Sequence, residues 1–93
     1  ASVPLRIMQL AAQAIEIQRE FAIVGSPLVI SDAATGVALC RASLMGALVN
    51  VKVNTKLMKD RCYADMINAE ADALAEQYCK LSEEIFYNIL ERF

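Results

Sequence analysis

Histidine and tryptophan are absent from this chain of 93 residues, and glycine, proline and cysteine are scarce at three, two and three copies. Without imidazole, no Ser-His-Asp or Cys-His relay can be built, nor the inward Glu-x-x-His pairs of dimetal helical bundles. Cys40, Cys62 and Cys79 are an odd set with no histidine to complete a zinc site, so neither a disulfide framework nor zinc is expected. They read as small buried hydrophobes in a reducing compartment. No block of like charge occurs: nine basic and eleven acidic residues are interspersed for a net charge of −2, which gives no electrostatic footprint for nucleic acid. A signal peptide and a membrane span are not expected either, because Arg41, Asn50 and Lys52 interrupt the most apolar stretch before it reaches about 18 residues. The expected location is the cytoplasm.

What is present is hydrophobic. Apolar residues make up 57% of the chain, above the roughly 45–50% of ordinary globular proteins. A chain this short covers little of its surface with its own polar groups, so something beyond it is expected to cover part of it. It opens without an initiator methionine and with a helix already under way, and reads as one domain or a piece of a longer polypeptide.

Three helices follow from the spacing. From Ser2 to about Val24, the residues Val3, Ile7, Leu10, Ala14, Ile17, Phe21 and Val24 recur every three or four positions, with Arg6, Gln9, Gln13, Glu16 and Glu20 opposite. That stripe is expected to face the core. Leu5, Met8, Ala12 and Ile15 widen it, and Pro4 suits the first turn, where a missing N–H costs nothing. Gly25-Ser26-Pro27 ends this helix, and Leu28, Val29 and Ile30 form either a buried connector or a short strand. Ser31 or Asp32 then caps a long central helix reaching Asn54. Its Asp32, Gly36, Cys40, Ser43, Ala47, Asn50 and Asn54 make one small or polar side, while Val37, Leu44, Leu48 and Val51 on one side and Leu39, Met45, Val49 and Val53 on another make the rest apolar. Such a helix belongs in an interior.

After a short turn carrying Asn54, Thr55 and Asp60 as candidate caps, no glycine or proline interrupts the chain to its end. Tyr63, Ile67, Leu74, Tyr78, Leu81, Ile85 and Ile89 line the inner side there, and Asp65, Asn68, Asp72, Glu76, Lys80 and Glu83 the solvent side. The closing helix is about 30 residues, roughly 50 Å long. The expected fold class is all-α, an up-down bundle of long antiparallel helices completed by further helices or a second subunit.

Candidate chemistry sits on the central helix. Asn50 and Asn54, one turn apart, present donors and acceptors that either read an amide-like ring edge or bond a neighbouring helix, since an unpaired buried amide costs about 1–3 kcal/mol. Asp32 and Ser31 are candidate ligand contacts as well as caps. Gly36 and Gly46 each cost about 1 kcal/mol in a helix, which close approach of a backbone or of a flat ligand would offset. Lys52, Lys56, Lys59 and Arg61 crowd the helix exit, where they attract an anion or complement the helix dipole.

Ser-Val-Pro-Leu opening a helix, Gly25-Ser26-Pro27 leading to Ser31-Asp32, the run Gly46-Ala-Leu-Val-Asn50-Val-Lys-Val-Asn54 and the acidic Asp60 resemble the second half of the cyclodeaminase domain. That all-helical domain closes formiminotransferase-cyclodeaminase and stands alone as bacterial methenyltetrahydrofolate cyclohydrolase. The resemblance spans essentially residues 1–93 and implies the C-terminal half of such a domain. The family's Pro-Gly-Gly-Gly-Ser helix start and its aspartate-rich segment with the proposed catalytic aspartate are not in this sequence, and the usual Gly-Asn is Gly25-Ser26 here.

The resemblance implies a folate enzyme whose substrate is a tetrahydrofolate derivative, with no metal, in a homodimer. The cyclodeaminase closes the formimino carbon of 5-formiminotetrahydrofolate onto N10 and expels ammonia; the cyclohydrolase adds water to the methenyl carbon. Ser31, Asp32, Asn50 and Asn54 are the implied substrate contacts, with the catalytic group unknown and Asp32 in a supporting role. Lys52 or Lys56 would meet the glutamate tail. The alternative is an inactive helical scaffold or oligomerisation module.

Overall fold

Every element among the described residues is a helix, because no stretch between the few breakers is short enough or alternating enough to favour a strand. The computed structural model describes residues 2–24 and 27–93, and in it α1 (Ser2–Val24), α2 (Pro27–Lys56) and α3 (Arg61–Leu90) pack side by side in a rod 50 × 18 × 15 Å. Short connections make consecutive helices antiparallel, the up-down arrangement expected of them. The expected helix end at Gly25-Ser26 lies outside the described residues.

The central helix starts earlier than its cap residues suggest. Pro27 is already helical, as a residue with fixed φ and no N–H to satisfy can be in a first turn. Leu28, Val29 and Ile30 continue it, being neither connector nor strand. Ser31 and Asp32 therefore sit in the second turn, exposed, and the Ser31 carbonyl accepts a bond from the Thr35 hydroxyl at 3.4 Å instead of the pair capping an end. The exit behaves as expected. Leu57 and Met58 close the last turn through N–H bonds of 3.2 Å to the Asn54 and Thr55 carbonyls, and the Asp60 carboxylate accepts from the Tyr63 N–H at 3.0 Å to cap α3. Arg61 donates to the carbonyls of Thr55 and Met58 at 2.7 and 2.9 Å, so this cation serves the negative end of α2.

Two buried clusters fill the rod. One joins Met8 and Ala11 to Leu44, Ala47 and Val51 and to Ile67 and Ala71; the other joins Ile15 and Ala22 to Ala33, Ala34 and Val37 and to Ile85 and Ile89. The inner arc of α1 is thus Met8, Ala11, Ala12, Ile15 and Ala22, while Val3, Ile7, Leu10, Ile17 and Phe21 are exposed. This reverses the expectation for that helix. Both arcs are apolar, and the one rich in alanine lets the helix axes approach closely, whereas the bulky arc would hold them apart.

A second correction concerns α2, which does not lie in an interior. It buries one face, Val37, Leu44 and Val51 among them, and leaves Leu39, Val49 and Val53 more than half exposed. A third concerns Asn68. It faces the α2–α3 seam rather than solvent, accepting a 2.7 Å bond from the Thr55 hydroxyl, which is itself buried. Two half-exposed ion pairs, Arg41 with Glu83 at 2.6 Å and Lys52 with Asp72 at 2.9 Å, fasten the outer edges of α2 and α3. Pairs so exposed contribute up to about 1 kcal/mol each.

Candidate functional site

The four candidate contacts lie on one helix but not in one place. Asp32 and Asn50 are eighteen positions apart on α2, roughly 27 Å at about 1.5 Å per residue. One chain alone does not close them around one small molecule.

At the hairpin end, Asp32 lines a shallow groove of about 250 Å³ with Gln18 and Phe21 from α1 and with Val29 and Ala33. Three of its five lining side chains, Phe21, Val29 and Ala33, are apolar, and Gln18 and Asp32 add an amide and a carboxylate. One turn further on, the Gln18 amide lies against Gly36, where an added Cβ would come within 2.7 Å of its nitrogen. Gly36 thus makes room for a side chain of α1, the close approach its position implied. Around Gly46 an added Cβ would meet nothing within 4 Å, so no contact inside this chain requires that glycine.

Toward the other end, Asn50 is exposed and Asn54 half-buried. The Asn54 carbonyl is engaged by the Leu57 N–H, and among the described residues neither side-chain amide has an internal hydrogen bond. Of the two uses open to them, bonding a neighbouring helix is therefore not the one this chain makes. Lys52 is occupied by Asp72, which leaves Lys56 and Lys59 as the exposed ammonium groups near the pair.

A second concavity escaped the sequence. Between α2 and α3 a cleft of about 210 Å³ is lined by Val37, Ala38, Arg41, Ser82, Glu83, Phe86 and Tyr87. The Phe86 and Tyr87 rings meet edge to face with centroids 5.5 Å apart. The polar groups here are already committed, Arg41 to Glu83 and the buried Ser82 hydroxyl to the Cys79 carbonyl at 2.8 Å. Only the register between two helices reveals this cleft, and no local pattern in either helix carries it.

Among the described residues, no three His, Cys, Asp or Glu side chains converge on a point that would hold a metal ion. Burial pushes the Cys40 thiol above its ordinary value, which disfavours the reactive thiolate. The stretch Val29–Lys56 is long and apolar enough by composition to cross a membrane. Its Arg41 and Lys52 are paired to carboxylates of α3, and its inner face is packed on two other helices.

Comparison with known proteins bears on this layout. The chain is 32% identical over 87 residues to a methenyltetrahydrofolate cyclohydrolase of Methylorubrum extorquens, an alignment covering 94% of this chain and 42% of the relative. The chain therefore spans about two fifths of that relative's length. No solved structure matches. The model of the formiminotransferase-cyclodeaminase family matches residues 1–73, which take in α1, α2, the turn after it and the first part of α3. With more than half its length matched, this chain belongs to the formiminotransferase-cyclodeaminase family.

Proposed function

We propose that this chain is the C-terminal half of a cyclodeaminase or cyclohydrolase domain and works in cytoplasmic folate one-carbon metabolism, holding a reduced folate against the polar edge of α2. The observation that carries this reading is the family match over residues 1–73, which includes Ser31, Asp32, Asn50 and Asn54. The open geometry of those residues supports it, since ligand contacts must be reachable. Asn50 and Asn54 offer amide donors and acceptors complementary to a pterin edge. Asp32 and the groove it shares with Gln18 and Phe21 offer a carboxylate, an amide and an aromatic surface.

Closing a formimino carbon onto N10 with loss of ammonia, or adding water to a methenyl carbon, passes in both cases through a tetrahedral carbon between two nitrogens. The protein's task is to hold the two nitrogens in line and to move a proton at the leaving atom. The asparagines orient the ring; Asp32, roughly 27 Å from Asn50 along α2, takes its supporting role only where the rest of the domain or another copy brings it to the same carbon, and the principal acid or base belongs to the aspartate-rich segment that the family resemblance implies. Lys56 is the lysine free to meet the glutamate tail.

Isothermal titration of the folded chain with tetrahydrofolate tests the reading. Saturable heat that is lost in Asn50→Leu and Asn54→Leu is expected; no heat from a chain with intact helical signal would contradict it. The rival reading, an inactive helical scaffold, is favoured by the open apolar arcs of α1 and α2 and predicts that silent titration.

A further inference from the structure

We propose that the cleft between α2 and α3 is a second binding site, and that it takes a free α-amino acid with an apolar side chain. Arg41 is committed there through one nitrogen only. Its Nη2 donates to Glu83 Oε1 at 2.6 Å, while its Nε–H is shut off from solvent and has no hydrogen-bond partner. A buried donor on a charged group carries a desolvation cost that an acceptor removes. Glu83 is likewise engaged through one oxygen, and its Oε2 has no partner among the described residues. The cleft thus sets one unmet donor and one unmet acceptor beside each other.

That pair selects the charge of the occupant. A simple anion drawn to Arg41 meets the Glu83 carboxylate, and a simple cation drawn to Glu83 meets the guanidinium. A zwitterion whose carboxylate and ammonium share one carbon sets each against its opposite: the carboxylate accepts from Arg41 Nε and the ammonium donates to Glu83 Oε2. The remaining wall is mostly apolar, with Val37 fully buried and the Phe86 and Tyr87 rings edge to face. Ser82 does not compete for the polar end, since its hydroxyl is donated to the Cys79 carbonyl. An apolar side chain therefore lies against the rings. The volume of about 210 Å³ equals that of roughly seven waters in the liquid and falls below the roughly 300–1,000 Å³ of sites for drug-sized ligands. Leucine or phenylalanine fits such a space, and a whole folate does not.

The site is separate from the edge of α2 proposed to hold folate. Arg41 stands nine positions from Asp32 and nine from Asn50, about two and a half turns in each direction, so it occupies the opposite side of the helix. The α3 wall, Ser82 to Tyr87, also falls beyond the residues 1–73 that the family model matches. The inference therefore does not rest on the folate reading. An amino acid held between Arg41 and Glu83 ties α2 to α3 on the far side from the asparagines.

Nitrogen-15 correlation spectra of the whole chain, titrated with L-leucine and with L-phenylalanine, test the proposal. The Arg41 Nε–H signal, assigned by its loss in Arg41→Lys, should shift and saturate with a Kd of about 1 mM, as suits so small a ligand. N-acetyl-leucine, which lacks the ammonium, and leucinamide, which lacks the carboxylate, should each bind about tenfold more weakly or worse. Glu83→Gln should weaken leucine by a similar factor with helix content intact, since Glu83 is exposed. Arg6→Gln, in the groove between α1 and α3, should leave binding unchanged. An Arg41 signal that neither amino acid moves overturns the proposal. So do analogues that bind as well as leucine, or a Glu83→Gln chain that binds it as the parent does, because the cleft then selects for apolar bulk and not for the two charges.

Discussion

α2 and α3 have the same length, 30 residues each, and both give one arc to the same two buried clusters, yet what they turn away from the core differs in charge. α3 shows Asp65, Asp72, Glu76, Lys80, Glu83 and Glu84 to solvent, with Tyr63, Met66, Tyr87 and Leu90 exposed among them. α2 shows Leu39 at 65%, Val49 at 61% and Val53 at 54% exposure, with Ala42 and Gly46 between them. Single exposed apolar residues are ordinary, but a continuous apolar seam joined to a second one on α1 marks a surface that another body covers. The contrast separates a helix whose outer side is mostly charged from one whose outer side is mostly apolar, and the chemistry proposed for this chain lies along the second.

The largest effect that sharpens the comparison is across α2 itself. Leu44→Ala, at a fully buried position, should cost about 2–5 kcal/mol in urea unfolding, while Val49→Ala on the outward seam should stay within about 0.5 kcal/mol for single chains. Equal losses at both positions would break the distinction between the arcs. Next comes the polar link between the two helices. Thr55→Val removes the 2.7 Å bond to Asn68 and leaves that half-buried amide unmatched, an expected loss of about 1–2 kcal/mol by the same measurement.

Two glycines give the third, smaller test. Gly46→Ala should stabilise single chains by about 1 kcal/mol, since a Cβ there meets nothing and alanine favours the helix. Gly36→Ala gains the same propensity but pushes the Gln18 amide aside, so its net effect should be close to zero. The smallest effect is at Cys40. Its raised pKa means the folded state holds the thiol proton more firmly, so this contribution is full at neutral pH and is lost as pH climbs through the ordinary thiol value toward the folded one. A Cys40→Ala chain should lack that slight alkaline slope, and thiol reagents at neutral pH should modify the exposed Cys62 well before Cys40.

Much of the architecture was legible. Three helices, the turn near residues 57–60, the Asp60 cap and the length of α3 all follow from local signals: breakers, caps and an uninterrupted amphipathic run. Four features were not: the start of α2, the buried arc of α1, the exposed side of α2 and the place of Asn68. Ser31-Asp32 has the composition of a helix start, but Pro27 and the unbroken Leu-Val-Ile after it let the helix begin a turn earlier, and a cap is only a cap if nothing upstream continues the helix. In α1 the regular stripe from Val3 to Phe21 points outward because two apolar arcs share the helix, and periodicity alone does not say which arc the neighbours take. The decisive quantity is side-chain volume: Ala11, Ala12 and Ala22 admit close helices and Ile17 and Phe21 do not. For the site, residue type was legible and convergence was not, since a one-helix pattern cannot tell that Asp32 and Asn50 stand far apart along a straight rod.

Hydroxyl-radical footprinting of the unmodified chain at dilute and at tens-of-micromolar concentration tests most directly whether the outward face of the α1–α2 hairpin is covered. Phe21 at 49% and Leu39 at 65% exposure should be oxidised at dilution and protected when concentrated, while Tyr63 and Met66 of α3, at 52% and 69%, react equally in both. Oxidation of Phe21 and Leu39 that does not change with concentration would contradict the account.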